Sequence, residues 1–66
     1  MMITAHEKIR SAILPRVTVS LYYTGIDTEY IIIATDRKTR KQRERRACGQ
    51  YAALEAFETA VKRGRV

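Results

Sequence analysis

Arg37-Lys38-Thr39-Arg40-Lys41-Gln42-Arg43-Glu44-Arg45-Arg46 is the stretch whose conformation decides the fold of this chain. It carries seven basic residues and one acid, a balance of +6, which equals the formal net charge of all 66 residues. Taking these from the 13 basic and seven acidic residues of the chain leaves six of each elsewhere, so the rest is neutral. The block has no apolar position at the period of a helix or of a strand. As a strand, Lys38, Arg40, Gln42, Glu44 and Arg46 share one face and Arg37, Thr39, Lys41, Arg43 and Arg45 the other. Neither face can pack on a core, so a strand here belongs at a sheet edge. As a helix, the block is a solvated extension of the helix that follows. Its Arg, Lys, Gln and Glu are good helix formers, and Thr39 with Gln42 offers a capping box. Against this, Gly49 would sit inside the helix, and cations in the first turns oppose the macrodipole. The helical extension is the leading expectation, ahead of an edge strand and then of a flexible arm.

The sequence after the block reads as a helix over 49–62. Ala53, Leu54, Phe57, Ala60 and Val61 recur at helical spacing, and Gly64 suits its termination. Before the block, Arg16 to Tyr23 and Thr28 to Thr35 read as strands joined by a turn at 24–27. A four-residue loop there pairs Leu21 with Tyr30, Val19 with Ile32 and Val17 with Ala34 on a core face. The opposite face then pairs Tyr22 with Glu29, Ser20 with Ile31 and Thr18 with Ile33. Ile31 and Ile33 there call for a cover, so Tyr22, Ile31 and Ile33 form a candidate partner or dimer face. Over 3–14, Met2, Ala5, Ile9, Ala12 and Ile13 form a helical stripe. Thr4 with Glu7 makes a capping box, and Pro15 stops the element. The expected fold class is α+β: a helix, an antiparallel hairpin with a basic edge strand as an option, and a C-terminal helix. The order is then αββα or αβββα, with both helices on one face of the hairpin.

Size restricts what such a domain can rely on. A chain of 66 residues is one domain, and folding buries only about 60% of its unfolded surface. Domains this small are commonly stapled by a disulfide, a metal or a second subunit. With one cysteine, Cys48, and one histidine, His6, the first two are disfavoured and a homodimer is expected. No apolar run approaches a membrane span, and the N-terminus lacks a secretory signature. The single cysteine suits a reducing compartment, so a cytoplasmic location without membrane contact is expected.

The chemistry points to binding rather than catalysis. There is no Ser/His/Asp set, glycine-rich phosphate loop or close carboxylate pair, so neither an enzymatic activity nor a cofactor or metal is expected. His6 has no carboxylate or cysteine near it in sequence. Cys48 lies among cations but reads as a small buried residue at the start of the last helix. Tyr23 and Tyr30 fall on the core face and Tyr51 beside the helical stripe, which leaves Tyr22 as the tyrosine off the core. Packed cations repel one another unless a polyanion offsets the cost. Arg37, Lys38, Arg40, Lys41, Arg43, Arg45 and Arg46 are therefore the candidate nucleic-acid-binding residues, for DNA or RNA. Five of them are arginines, suited to bidentate phosphate contacts. Gln42 is the one base-reading amide in the block, so little sequence selectivity is expected. The expected function is that of a small accessory or regulatory nucleic-acid-binding protein. The alternative is an interaction module, an inhibitor or adaptor, docking on an acidic protein through the block and the Ile31/Ile33 face.

Overall fold

The computed structural model describes residues 7–65. Four strands run β1 (Glu7–Ile13), β2 (Val17–Tyr23), β3 (Glu29–Asp36) and β4 (Gln42–Cys48), followed by the helix α1 (Gln50–Arg63). The strands form one antiparallel meander in the order β1-β2-β3-β4, and α1 packs across β2, β3 and β4. Val17, Val19, Leu21, Ile32 and Ala34 bury one sheet face against Ala53, Phe57 and Ala60 of the helix. The class is α+β, as expected, but the order is ββββα. No helix among the described residues is long and apolar enough to cross a membrane.

The expected N-terminal helix is overturned where it can be seen. Residues 7–13 form β1, and positions 1–6 of that reading lie outside the described residues. The cause is the otherwise unpaired edge of β2. Only Pro15 and Arg16 separate Leu14 from Val17, and the Leu14 N–H donates to the Val17 carbonyl at 2.8 Å. The link closes a hairpin, which pairs the edge of β2 that a helix in this position would leave open. Pro15 ends the element, as its chemistry requires, in a turn. Arg10 and Ala12 then fall on the helix side, opposite Leu21 and Val19, and a bulge at Ile9 interrupts the ladder between Lys8 and Arg10.

The expected β2–β3 register is two residues out. Leu21 faces Ile32, Val19 faces Ala34, Val17 faces Asp36 and Tyr23 faces Tyr30. The loop slides by one residue because Thr24 belongs to the ladder. Its N–H and Oγ1 both donate to the Glu29 carbonyl, at 3.2 and 3.0 Å, and its Oγ1 accepts from the Ile26 N–H at 3.2 Å. A shift of two preserves side-chain parity, so the face assignments survive. On the face away from the helix, Tyr22 lies opposite Ile31, Ser20 opposite Ile33 and Thr18 opposite Thr35. That face has no covering element among the described residues. Flanked by Tyr22 and Arg46, Ile31 is nevertheless only 7% exposed, and Ile33 is half-buried.

The basic block is not a helical extension. Residues 37–41 connect the strands through a turn and β4 takes 42–46 of the block, so the edge-strand alternative describes it best. A 14-residue helix is about 21 Å long and a seven-residue strand about 23 Å, so α1 already spans the sheet. Ten further helical residues would run about 15 Å past it with nothing to pack on. Gly49 separates the two elements instead, with φ +94°, and its N–H donates to the Thr28 carbonyl at 2.8 Å. Gly64 ends the helix at φ +72°, and its N–H and that of Arg65 donate to the Ala60 carbonyl. This left-handed cap turns Arg65 back towards the sheet.

Candidate nucleic-acid interface

The block is preceded by Asp36, the last residue of β3. Its Oδ1 accepts the N–H groups of Lys38 at 2.8 Å and Thr39 at 2.9 Å, while its backbone pairs with Lys41. Hydrogen bonds from the backbone of Thr39, then of Lys38, hold the Asp36 carboxyl below the usual carboxylate range. Arg40 closes the turn at φ +66°. The result is a defined four-residue hairpin loop that projects Lys38 and Arg40 into solvent, with the exposed Lys41 directly after it.

Arg37 has a different task. Its backbone N–H donates to the Arg16 carbonyl and its Nη1 to the Leu14 carbonyl, both at 3.0 Å. It clamps the β3–β4 turn onto the β1–β2 turn, and Arg16 joins the basic end of the molecule as a result. Arg46 is also committed, through an ion pair with Glu29 at 3.2 Å, the one ion pair among the described residues. Of the seven candidates, Lys38, Arg40, Lys41, Arg43 and Arg45 are exposed and carry no ion pair among the described residues. Gln42 Nε2 donates to Thr35 Oγ1 at 3.3 Å, which ties down the block's one amide.

Strand parity divides what remains. Arg43 and Arg45 face Ala34 and Ile32 across the ladder and stand on the helix side. Gln42, Glu44 and Arg46 stand on the open side with Thr35, Ile33 and Ile31. Within β4, Arg43 and Arg45 are thus turned towards the helix, and Glu44 and the ion-paired Arg46 away from it. Along the strand–helix seam lies a cleft of about 230 Å³ lined by Arg43, Arg45, Ala56, Thr59, Ala60, Arg63 and Arg65, with no acidic residue among them. It continues into a cleft of about 350 Å³ where Arg16, Lys41, Arg43 and Arg65 meet Asp36 and Thr39. Arg16, Arg63 and Arg65 are functional candidates that the sequence reading missed, because it counted them within the neutral body. One signal was available: Lys62-Arg63-Gly64-Arg65 is a second basic run, directly after a helix terminator.

The remaining candidates stand apart. Tyr22, Ile31 and Ile33 share the open face. Tyr22 lies beneath the Lys8 ammonium, 5.9 Å from the ring centroid. Tyr23 and Tyr30 do lie on the helix side, with ring centroids 5.1 Å apart. Tyr51, expected beside the apolar stripe, is 92% exposed, off the stripe that buries Ala53, Phe57 and Ala60. Cys48 is exposed rather than buried, 3.5 Å from Thr28 Oγ1 at the end of the edge strand. His6 lies outside the described residues. No three His, Cys, Asp or Glu side chains converge as a metal site among the described residues. Comparison with protein-family models, curated proteins and solved structures returned no match.

Proposed function

We propose that this domain binds nucleic acid through the phosphate backbone, with little sequence selectivity, as an accessory or regulatory protein. The supporting observation is the state of Lys38, Arg40, Lys41, Arg43 and Arg45. They are exposed on a hairpin turn and an edge strand, with no acid paired to them among the described residues. Holding such cations together costs free energy that phosphate offsets, because each neutralised phosphate releases condensed counterions. The tie between Gln42 and Thr35 supports low selectivity, since no other amide of the block offers base readout. The alternative, an acidic protein docked on the Tyr22, Ile31 and Ile33 face, has less apolar surface to draw on with Ile31 only 7% exposed.

The test is fluorescence anisotropy with labelled single- and double-stranded DNA and RNA of mixed sequence. Affinity should fall linearly on a log–log salt plot and be abolished in the Arg43→Glu/Arg45→Glu double variant. No binding to any of the four probes at about 50 mM salt sinks the proposal.

A further inference from the structure

We infer that the seam between β4 and α1 is a track for one sugar–phosphate backbone, with Arg63 and Arg65 as the wall opposite the basic block. The inference rests on the nucleic-acid reading above and assigns its binding surface to the helix side. One wall comes from the edge strand. Arg43 and Arg45 within it, and Lys41 just before it where its carbonyl accepts the Asp36 N–H, follow one another at every second residue along the helix-side clefts, so successive cations are about 6.8 Å apart. Adjacent phosphates of an extended backbone repeat at a similar stride, so each cation can take one phosphate. The other wall is the helix C-terminus. Arg63 lies in the last turn of α1, and the left-handed Gly64 brings Arg65 back to the same cleft.

The floor between the walls is low. Ala56, Thr59 and Ala60 are small, so a chain of phosphates can lie between the guanidinium groups and meet a hydroxyl rather than a bulky side chain. No acid lines the cleft at Arg43 and Arg45, and four arginines do, while Asp36 lines its continuation beside Lys41. A helix C-terminus favours cations, which accounts for one basic residue in the last turn without any ligand. It does not account for Arg65 beyond the cap, nor for two further arginines across the seam. A duplex could present one backbone to the track and a single strand its whole length, and the two probe types separate these cases.

The experiment compares wild type with Arg63→Gln/Arg65→Gln, Thr59→Glu and Lys62→Gln by anisotropy against the same single- and double-stranded probes across a salt series. Thr59 is half-buried, while Lys62 and the two arginines are exposed, and thermal unfolding by circular dichroism confirms that each variant is folded. Loss of two phosphate contacts should flatten the single-strand salt slope by about 1.4 and weaken binding on the order of tenfold at about 0.15 M salt. Thr59→Glu should weaken it at least as much by placing a carboxylate in the track. Lys62→Gln removes a last-turn cation outside the cleft and should leave both affinity and slope unchanged. If Arg63→Gln/Arg65→Gln keeps wild-type slope and affinity while Arg43→Glu/Arg45→Glu fails to bind, the track is wrong and the basic block stands as the interface. If wild type binds none of the probes, both ideas fall together.

Discussion

Arg45 and Arg46 are neighbours with the same chemistry, and the structure gives them opposite fates. Arg45 faces the helix-side cleft with no ion pair among the described residues, whereas Arg46 faces the open side and holds Glu29 at 3.2 Å. Replacing each in turn by Gln, which keeps length and polarity, isolates the charge. If Arg45 takes one phosphate, its loss should flatten the log–log salt slope by about 0.7 on single strands and 0.9 on duplex. Carried to about 0.15 M salt, that change in slope is a loss of about four- to sixfold in affinity, growing as the salt is lowered. Arg46→Gln should leave the slope unchanged and the affinity within about twofold, because its charge is already compensated in the free protein. Its effect on folding should also be small, since exposed ion pairs contribute about 0–1 kcal/mol. Anisotropy titrations at four or more salt concentrations resolve both numbers. Equal losses in the two variants, or a larger one in Arg46→Gln, would place the nucleic acid on the open face and refute the assignment of sides.

Three further outcomes test the fold that sorts these charges. Ile32→Ala, at a fully buried position, should cost about 2–5 kcal/mol, while Ile33→Ala on the open face should cost about 1 kcal/mol or less; chemical denaturation of both checks the face assignment, and a larger loss at Ile33 would mean that this face is covered in solution. Asp36→Ala should lower the melting temperature at neutral pH but not in acid: the folded carboxyl is held below its ordinary range, so its contribution is complete above the unfolded value and is lost as the pH falls through the folded one, and the two melting curves should converge there. Arg37→Ala should loosen the two hairpin turns, seen as faster amide exchange at position 14 and position 37, whose N–H groups donate within that clamp, with a smaller loss of nucleic-acid affinity than Arg43→Ala.

Much of the core is legible in the amino-acid pattern, because a side chain's face in a strand depends only on parity. Val17, Val19, Leu21, Ile32 and Ala34 share one face in the expected register and in the observed one, which differ by two. The C-terminal helix is equally legible, since Ala53, Phe57 and Ala60 recur at its period and Gly64 ends it. Residues 7–13 mislead because Ile9, Ala12 and Ile13 fit either a helical stripe or an exposed edge strand. What separates those two is the unpaired edge of β2 waiting there. The basic block misleads for a related reason: its residues favour a helix locally, and no local signal outweighs that except Asp36, whose side chain builds the turn.

The sequence by itself determined the α+β class, the hairpin core, the last helix and the confinement of net charge to residues 37–46. These follow from period, turn chemistry and composition, which are properties of nearby residues. Only the tertiary structure decided which of those charges are available. Pairing along β3 turned the block into an edge strand, so alternate residues went to opposite sides. Glu29 took Arg46, the neighbouring turn took Arg37, and the return of the helix brought Arg63 and Arg65 to face Arg43 and Arg45. Each of those outcomes depends on groups far apart in the chain meeting in space, which no local pattern encodes.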